Sequence, residues 1–428
     1  MKGIVTSSYQ EFNAGSKQLG SISTNTATRP TRSDSWMRAE KLRVRRPDRI
    51  YHFAKYYPPT PGGIETHVQT LARAQAALGA EVHVICINGS THSTTSLAKT
   101  ATVEEMDGDV RVTRIGRDFT LARFDVCPEL FRTLRQLQGA PDTIFHLHTP
   151  NPTMLMALMT LRPTVPLVVT HHSDIVKQRF LKYALRPVEH CVYRRATRIV
   201  TTSDHYIAGS KFLKLYEDNL ASLPLGLDSS AFGQPSSAAL AFANSLRQTY
   251  NEPIWLTVGR LVYYKALQVG IAALVNVPGK LYVIGNGPLE QDLKRQAQAL
   301  GLSDRIIWHG QASQDELVGA YHAATALWFP SNARSEGFGL VQVEAMASGC
   351  PVINAAIPCS GVTWVSRHEQ EALTIPLNDP IALAQAAWRL LNEPGLRDRL
   401  AEAGRIRAQE FDHITMAKRS MAIYEQIL

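Results

Sequence analysis

No stretch of this 428-residue chain offers the roughly 18 consecutive apolar residues that a membrane-crossing helix needs. The longest candidates, such as MLMALMTL from Met154 to Leu161, have the length of buried core helices. Cysteine is scarce. Cys86, Cys127, Cys191, Cys350 and Cys359 are odd in number, scattered, and form no C-x-x-C. That excludes a disulfide framework or a zinc cage and suits reduced thiols in a cytosol-like compartment. Charge of one sign is also scarce once the first 49 residues are set aside. Those residues hold ten Lys or Arg against four Asp or Glu, which is +6 of the net +8. The remainder carries only +2, too little for a nucleic-acid-binding surface. What is present is ordinary for a globular protein, with 45% apolar and 19% charged residues, and the length suits two cores.

Residues 1–48 are rich in Ser, Thr, Asn and Arg, poor in apolar side chains, and are expected to form a disordered basic tail. Its end, MRAEKLRVRRPDR (Met37 to Arg49), is either attracted to anionic lipid headgroups or is a solvated linker. It lacks the apolar core of a secretory signal, while its Arg and Ser content also fits an organelle transit peptide. From Ile50 the pattern becomes strand, glycine loop, helix. A strand is expected near Ile50 to Ala54, a helix from about Ile64 to Leu78 closed by Gly79, and a strand from about Glu81 to Ile87. TIFHLH, PLVVTHH and TRIVTTS continue the series. A second series runs through IWLTVGRL, KLYVIGNG, RIIWHG, ALWFP and PVINAA. Short strands alternating with helices imply parallel sheets covered on both faces. The expected fold class is α/β, with two Rossmann-like doubly wound domains facing a cleft. The expected divisions are 49–228, a linker region 229–250, 251–410, and a C-terminal helix over 411–428 that packs back on the first domain.

In such sheets ligands bind beyond the carboxyl ends of the strands, so the loops there carry the chemistry. The loop PPTPGGIE places Gly62 and Gly63 before a helix whose free N–H groups suit an anion; the same pattern also serves as a plain turn. GRLVYYK puts Arg260 and Lys265 just past a strand, able to clamp a diphosphate or to stand as solvated surface charges. GNGP, with Gly287, is a turn that opens a helix with Pro288 near its first position, close to a nucleotide base or purely structural. SEGFGLVQVEAMASG places Glu336 in a loop loosened by Gly337 and Gly339. The chain is expected to be helical from about Phe338, which carries Glu344 two turns on, among Leu340, Val341, Val343 and Met346. A carboxylate there needs donors, either a ribose diol or an internal partner such as an arginine. VVTHHSD sets His171 and His172 at a strand end. His146 and His148 share one face of another; zinc is conceivable there, but no third ligand has metal-site spacing, which favours core histidines.

SEGFGLVQVEAMASGCPVI resembles the E-x7-E signature of glycosyltransferase family 4, the retaining nucleotide-sugar transferases of the GT-B fold. GRLVYYK, VIGNGP, TPGGIE and VVTHHSD are similar to the family's other blocks, in the same order, and the resemblance spans about Ile50 to Leu428. It implies that Glu336 contacts the donor sugar, helped by the backbone of Gly337, Phe338, Gly339 and Leu340. It further implies that Glu344 binds the ribose, that Arg260 and Lys265 hold the diphosphate, and that Gly62 and Gly63 lie against the phosphates, with Gly287 near the nucleotide. His172, rather than His171, matches the family's histidine beside the sugar. Two positions depart from the pattern: Ala266 follows Lys265 where the family usually has Gly, and Leu225 stands where many members carry Asn or Tyr.

The implied reaction retains anomeric configuration through an oxocarbenium-like transition state, with cations and helix N-termini stabilising the departing diphosphate. No cofactor or metal is implied: the two cations take the place of a divalent ion, and no D-x-D accompanies these loops. The implied partners are a nucleotide-sugar donor, GDP- or UDP-linked with mannose the leading sugar, and a lipid-linked or saccharide acceptor; nucleic acid is not among them. The segment Asp174 to Arg198 carries seven basic residues against two acidic ones, interleaved with apolar ones. It suits either an anionic membrane surface or a packed helix with a solvated face. The expected setting is cytoplasmic, peripheral on the inner face of the plasma membrane, in cell-surface polysaccharide or lipopolysaccharide assembly. Rival readings are an epimerase or hydrolase of the same fold and a non-catalytic sugar-nucleotide binder. A dinucleotide dehydrogenase is disfavoured, because the first loop is not G-x-G-x-x-G.

Overall fold

The computed structural model describes residues 46–428 apart from 61, 90–99, 122–123, 138–141, 162–163 and 174–178. The tail expected over residues 1–48 lies outside the described residues up to position 45. The first lobe is built on an eight-stranded sheet. In chain order its strands are β1 (Arg49–Phe53), β2 (Glu81–Ile87), β3 (Val103–Asp107) and β4 (Val110–Ile115). After a small hairpin, β5 (Phe119–Leu121) with β6 (Phe124–Val126), come β7 (Thr143–Thr149), β8 (Leu167–His171), β9 (Arg198–Thr201) and β10 (Leu220–Ser222). The spatial order is β10-β9-β8-β7-β1-β2-β4-β3, parallel throughout except for β3 against β4. The second lobe holds β11 (Ile254–Val258), β12 (Lys280–Ile284), β13 (Ile306–Gly310), β14 (Ala326–Phe329), β15 (Val352–Ala355) and β16 (Ala372–Ile375). Their order is β13-β12-β11-β14-β15-β16, all parallel.

Every residue of β7, β8, β14 and β15 is buried; β8 and β14 accordingly read as near-continuous apolar runs, while β7 (TIFHLHT) still alternates, with His146 and His148 on one buried face. In each sheet the first strand has the second on one side and a much later strand on the other: β1 lies between β2 and β7, and β11 between β12 and β14. The chain direction of travel across the sheet reverses there. The loops leaving the two central strands therefore diverge and leave a crevice at the carboxyl ends. Trp255 on β11 and Trp328 on β14 stack 5.1 Å apart, both fully buried, and lock this point of the second sheet. Replacing either by alanine would cost about 3–5 kcal/mol.

Three local features differ from expectation. The segment read as a linker, 229–250, is largely helical, with helices at Ser230–Gly233 and Ser237–Tyr250. Phe232, Ala239, Ala243 and Leu246 are buried in the second lobe's core, so this stretch is packed structure, not a tether. The helix bearing Glu344 spans Leu340–Ala347 instead of starting near Phe338, because Gly339 takes φ 80 at its N-cap. Phe338 is buried instead, edge-on to Phe411. Pro288 sits in the turn before the helix Glu290–Ala299, whose N-cap is Leu289, and not in that helix's first turn.

The last helix, His413–Glu425, crosses to the first lobe. Met416, Ala417 and Tyr424 join the core beneath β1, β2 and β7, against the helix Gly63–Ala77. Arg334, just after β14, ties the lobes together at the other side. Its guanidinium donates to the carbonyls of Tyr206 (3.1 Å), Gly209 (2.7 Å) and Cys359 (3.0 Å).

Candidate active site

The loops after β11 and β14 meet at the switch point of the second sheet. Lys265 closes the first of them and Glu336 lies in the second, and their Nζ and Oε2 atoms are 2.6 Å apart. Both side chains are mostly enclosed, 18% and 11% exposed. Ser331 Oγ also donates to the Glu336 carboxylate at 3.3 Å, and Ser360 Oγ donates to its backbone carbonyl at 2.6 Å. Lys265 lies over the Phe329 ring at 4.9 Å. Neither serine was singled out in the sequence, where no local pattern connects residue 360 to residue 336.

Arg260 is exposed, and its side chain makes no hydrogen bond among the described residues. It points across the crevice toward the first lobe, where its charge and that of Lys55 pull down a Glu65 carboxyl that burial pushes up. Glu65 folds back over Gly62, so that a Cβ at Gly62 would fall 2.0 Å from its Oε2. Gly63 has open space around it and begins the helix Gly63–Ala77, which has no side-chain cap. In that first turn the Glu65 carboxylate accepts from its own backbone N–H and offsets the helix dipole; the helix Leu340–Ala347, which has neither a side-chain cap nor an acid in its first turn, keeps the positive end of its dipole.

Gly337 packs against the backbone of His172, where a Cβ would approach the His172 carbonyl to 3.1 Å. Gly339 could not carry a side chain, since Phe329 already fills that space at 2.7 Å. Gly287 lies against the 259–261 loop, with the Leu261 carbonyl at 2.4 Å from its would-be Cβ; that contact demands glycine whatever else the loop binds. Ala266, the departure from the family pattern, has φ 51 and is fully buried, a left-handed conformation that glycine adopts without strain.

Glu344 is half-buried on its helix. The internal partner considered from the sequence exists, but it is a tyrosine where an arginine was the example: Tyr321 donates its hydroxyl to Glu344 Oε2 at 2.7 Å. Burial pushes the Glu344 carboxyl up, against the pull of Tyr321 and of the Lys265 charge. One hydroxyl leaves most of the carboxylate's acceptor capacity for a ligand.

In the first lobe, His172 is 8% exposed at the end of β8, while His171 is tied to the Tyr193 hydroxyl at 2.7 Å. His146 and His148 are buried and do not stand alone. The register pairs His52 with His146 across β1 and β7, and His67 comes down from the helix above. In two triads, His52–His146–His148 and His67–His148–His172, ring nitrogens lie within 4.8 Å of one another, so the third ligand missing from local spacing exists in space. The pairs at 3.0–3.1 Å are nonetheless spaced as hydrogen bonds between imidazoles, closer than two ligands of one tetrahedral ion stand. Burial holds every ring of the cluster below its ordinary value, His52 to about 4 and His67 to about 3.

Of the basic segment Asp174 to Arg198, residues 174–178 lie outside the described residues. Farther along, Arg186 pairs with Glu189 and covers the Phe212 ring at 3.8 Å, and Arg195 donates to the Leu158 carbonyl at 3.0 Å. Part of its charge is therefore spent in packing. Among the described residues no helix is long and apolar enough to cross a membrane.

The family model for a glycosyl transferase 4-like domain matches residues 62–226, and that for glycosyl transferases group 1 matches residues 242–407. The chain is 30% identical to D-rhamnosyltransferase WbpZ of Pseudomonas aeruginosa, over 81% of this chain and 87% of that protein. It is also 30% identical to O-antigen chain mannosyltransferase C of Escherichia coli, over 86% and 95%. Among solved structures it superposes on Anabaena Alr3699/HepE in complex with UDP-glucose with a TM-score of 0.68 at 19% identity, covering 89% of this chain and 100% of that one. Sucrose-phosphate synthase from Thermosynechococcus elongatus gives 0.72 at 24%, covering 89% and 98%. The two structural likenesses establish the fold, which is GT-B. The sequence matches, which span both lobes, establish that this chain belongs to the group 1, family 4-type glycosyltransferases.

Proposed function

We propose that the chain transfers a hexose, mannose foremost, from a GDP- or UDP-sugar to a lipid-linked saccharide acceptor in cell-surface polysaccharide assembly, with retained anomeric configuration and without a metal. The observation that carries this reading is the Lys265–Glu336 pair at the switch point, flanked by Arg260, whose side chain makes no hydrogen bond among the described residues, and by two helix N-termini without side-chain caps. Lys265 and Arg260 hold the diphosphate and neutralise the charge that develops on it as the glycosidic bond breaks. Glu336 exchanges Lys265 for the hydroxyls of the donor sugar, and Glu344 accepts from the ribose. Gly62 and Gly63 let the first lobe's backbone approach the phosphates, and His172 faces the sugar. The departing diphosphate takes the acceptor's proton.

The names of two relatives, one a D-rhamnosyltransferase and one an O-antigen chain mannosyltransferase, support a deoxyhexose or hexose donor and a surface-polysaccharide product. The neighbour solved with UDP-glucose supports a nucleotide sugar as donor. For the acceptor, the first lobe offers a cavity of about 350 Å³ lined by Phe124, Asp125, Cys127, Phe131 and Thr153. Lys55 and Arg117 stand at its Asp125. Thermal-shift titration of wild type and Glu344→Ala with GDP, UDP and ADP, with and without EDTA, tests the donor site. A base-selective rise that survives EDTA and is lost in the variant is expected. No rise with any nucleotide from folded protein would refute the donor-site assignment. Product analysis without acceptor separates transfer from hydrolysis or epimerisation.

A further inference from the structure

Three of the buried histidines of the first lobe, His52, His148 and His172, form with Gln75 a hydrogen-bonded chain that runs from the last helix to the crevice. Gln75 Nε2 donates to Ser420 Oγ (2.8 Å) and to the Tyr424 hydroxyl (3.1 Å). Gln75 Oε1 faces His52 Nε2 at 2.7 Å, His52 Nδ1 faces His148 Nε2 at 3.0 Å, and His148 Nδ1 faces His172 Nε2 at 3.1 Å. Gln75, His52 and His146 are 0% exposed and His148 is 1% exposed.

Proton positions follow from counting donors. Ser420 has one hydroxyl hydrogen, and it goes to the Ala417 carbonyl at 2.7 Å. The Gln75 atom facing Ser420 must therefore be the donating amide, which leaves its oxygen for His52. That oxygen needs a proton on His52 Nε2. A neutral His52 then has a bare Nδ1 and must receive from His148 Nε2, whose own Nδ1 must receive from His172 Nε2. The branch agrees. The Tyr424 hydroxyl, accepting from Gln75, gives its hydrogen to His146 Nδ1 at 2.6 Å, and His146 Nε2 donates to Thr170 Oγ1 at 2.6 Å. Reversing the chain would turn the Gln75 oxygen toward a Ser420 oxygen with no hydrogen to spare, a buried repulsion.

We propose that His148, His52 and Gln75 are positioning residues that lock His172 in its Nε2–H tautomer, leaving Nδ1 as a bare acceptor for a substrate hydroxyl at the crevice. His172 then acts by accepting, not by donating, and the last helix helps set this through Ser420 and Tyr424. Burial, which keeps all these rings neutral, agrees with such an arrangement. The identity of the hydroxyl as one on the donor sugar rests on the function proposed above.

Imidazole-15N-labelled full-length protein, read by long-range 1H–15N correlation, tests the chain directly. The expected spectrum shows His52, His146, His148 and His172 neutral, each protonated on Nε2, with the His172 Nδ1 resonance moving when a nucleotide sugar binds. In Gln75→Leu the His172 signal should become a tautomer average and kcat should fall about tenfold, the worth of one hydrogen bond. Nucleoside diphosphate affinity should stay unchanged. A proton on Nδ1 of His148 or His172 in the wild type overturns the proposal, as do unchanged His172 tautomers in a folded Gln75→Leu. So does about one zinc per chain by atomic emission, since the lone pairs would then be ligands. So does an Nδ1 resonance that ignores a nucleotide sugar which demonstrably binds. Expected tautomers with no transfer activity would count against the function and leave the lock standing.

Discussion

Replacing Glu336 by glutamine separates the two jobs assigned to the centre of the crevice. In the unliganded protein Glu336 holds Lys265 at 2.6 Å in a largely enclosed pair. A charge-assisted hydrogen bond of that kind is worth about 1.5–3 kcal/mol. Glu336→Gln keeps the shape but leaves Lys265 without its anion, so about 2 kcal/mol of stability and a few degrees of melting temperature should be lost. A diphosphate entering the crevice then no longer competes with a carboxylate for Lys265. Affinity for the nucleoside diphosphate should therefore rise, by up to about tenfold, or 1.4 kcal/mol. Transfer should fall by at least about 100-fold, because the carboxylate's contact with the reacting sugar is gone. Calorimetric titration with GDP and UDP, beside turnover of the matching sugar nucleotide, reads both. The two quantities must move in opposite directions. A parallel fall in nucleotide affinity and turnover would show that Glu336 merely holds Lys265 in place, and the competition argument would be wrong.

Other outcomes follow from the same geometry. The Glu344 carboxyl is raised above its ordinary 4.5 by burial, so the native state binds more protons than the unfolded chain just above that pH, and stability falls as pH rises through the window. Glu344→Gln should thus melt higher than wild type at pH 7, equal it below about pH 4.5, and lose its nucleotide-induced shift; a lower melting point at pH 7 would contradict the burial argument. The buried histidines have the opposite sign. With His52 at about 4 against an ordinary 6.5, the unfolded chain binds more protons between those values, and stability is lost as pH falls. His52 alone should cost about 2 kcal/mol at pH 5, and urea midpoints that stay constant from pH 7 to 5 would rule this out. Ala266→Gly relieves a left-handed alanine worth about 1–2 kcal/mol, less the entropy of a glycine at about 0.5–1 kcal/mol. It should stabilise by about 0.5 kcal/mol, and a clear loss would mean the buried methyl matters more than the backbone.

Local patterning carries a good deal of this protein. Strands buried on both faces show as short runs, so β2 was expected over the residues it occupies, Glu81–Ile87. The glycines of the SEGFG loop, and the two glutamates eight positions apart, are visible because a turn and a helix face are properties of consecutive residues. Packing was harder to see: 229–250 was expected as a linker region, and half of its apolar residues are alanine, small enough to read as neutral, yet Ala239 and Ala243 sit against the helix Gln314–Ala323.

Distance along the chain is what hid the rest. Lys265 and Glu336 meet only because β14 inserts beside β11, and strand order is not a local property. The partner of Glu344 is Tyr321, because a neighbouring helix, not an arginine, happens to lie there. His146 and His148 share a strand face in any register, but His52 faces them only because β1 and β7 pair residue 52 with residue 146, and Gln75 and Tyr424 arrive from two further helices. The residue types and short spacings were set by which atoms must stand in one turn of backbone. Which carboxylate meets which cation, and where each imidazole proton sits, were set by contacts across as many as about 350 residues, whose energies exist only once the sheets have closed.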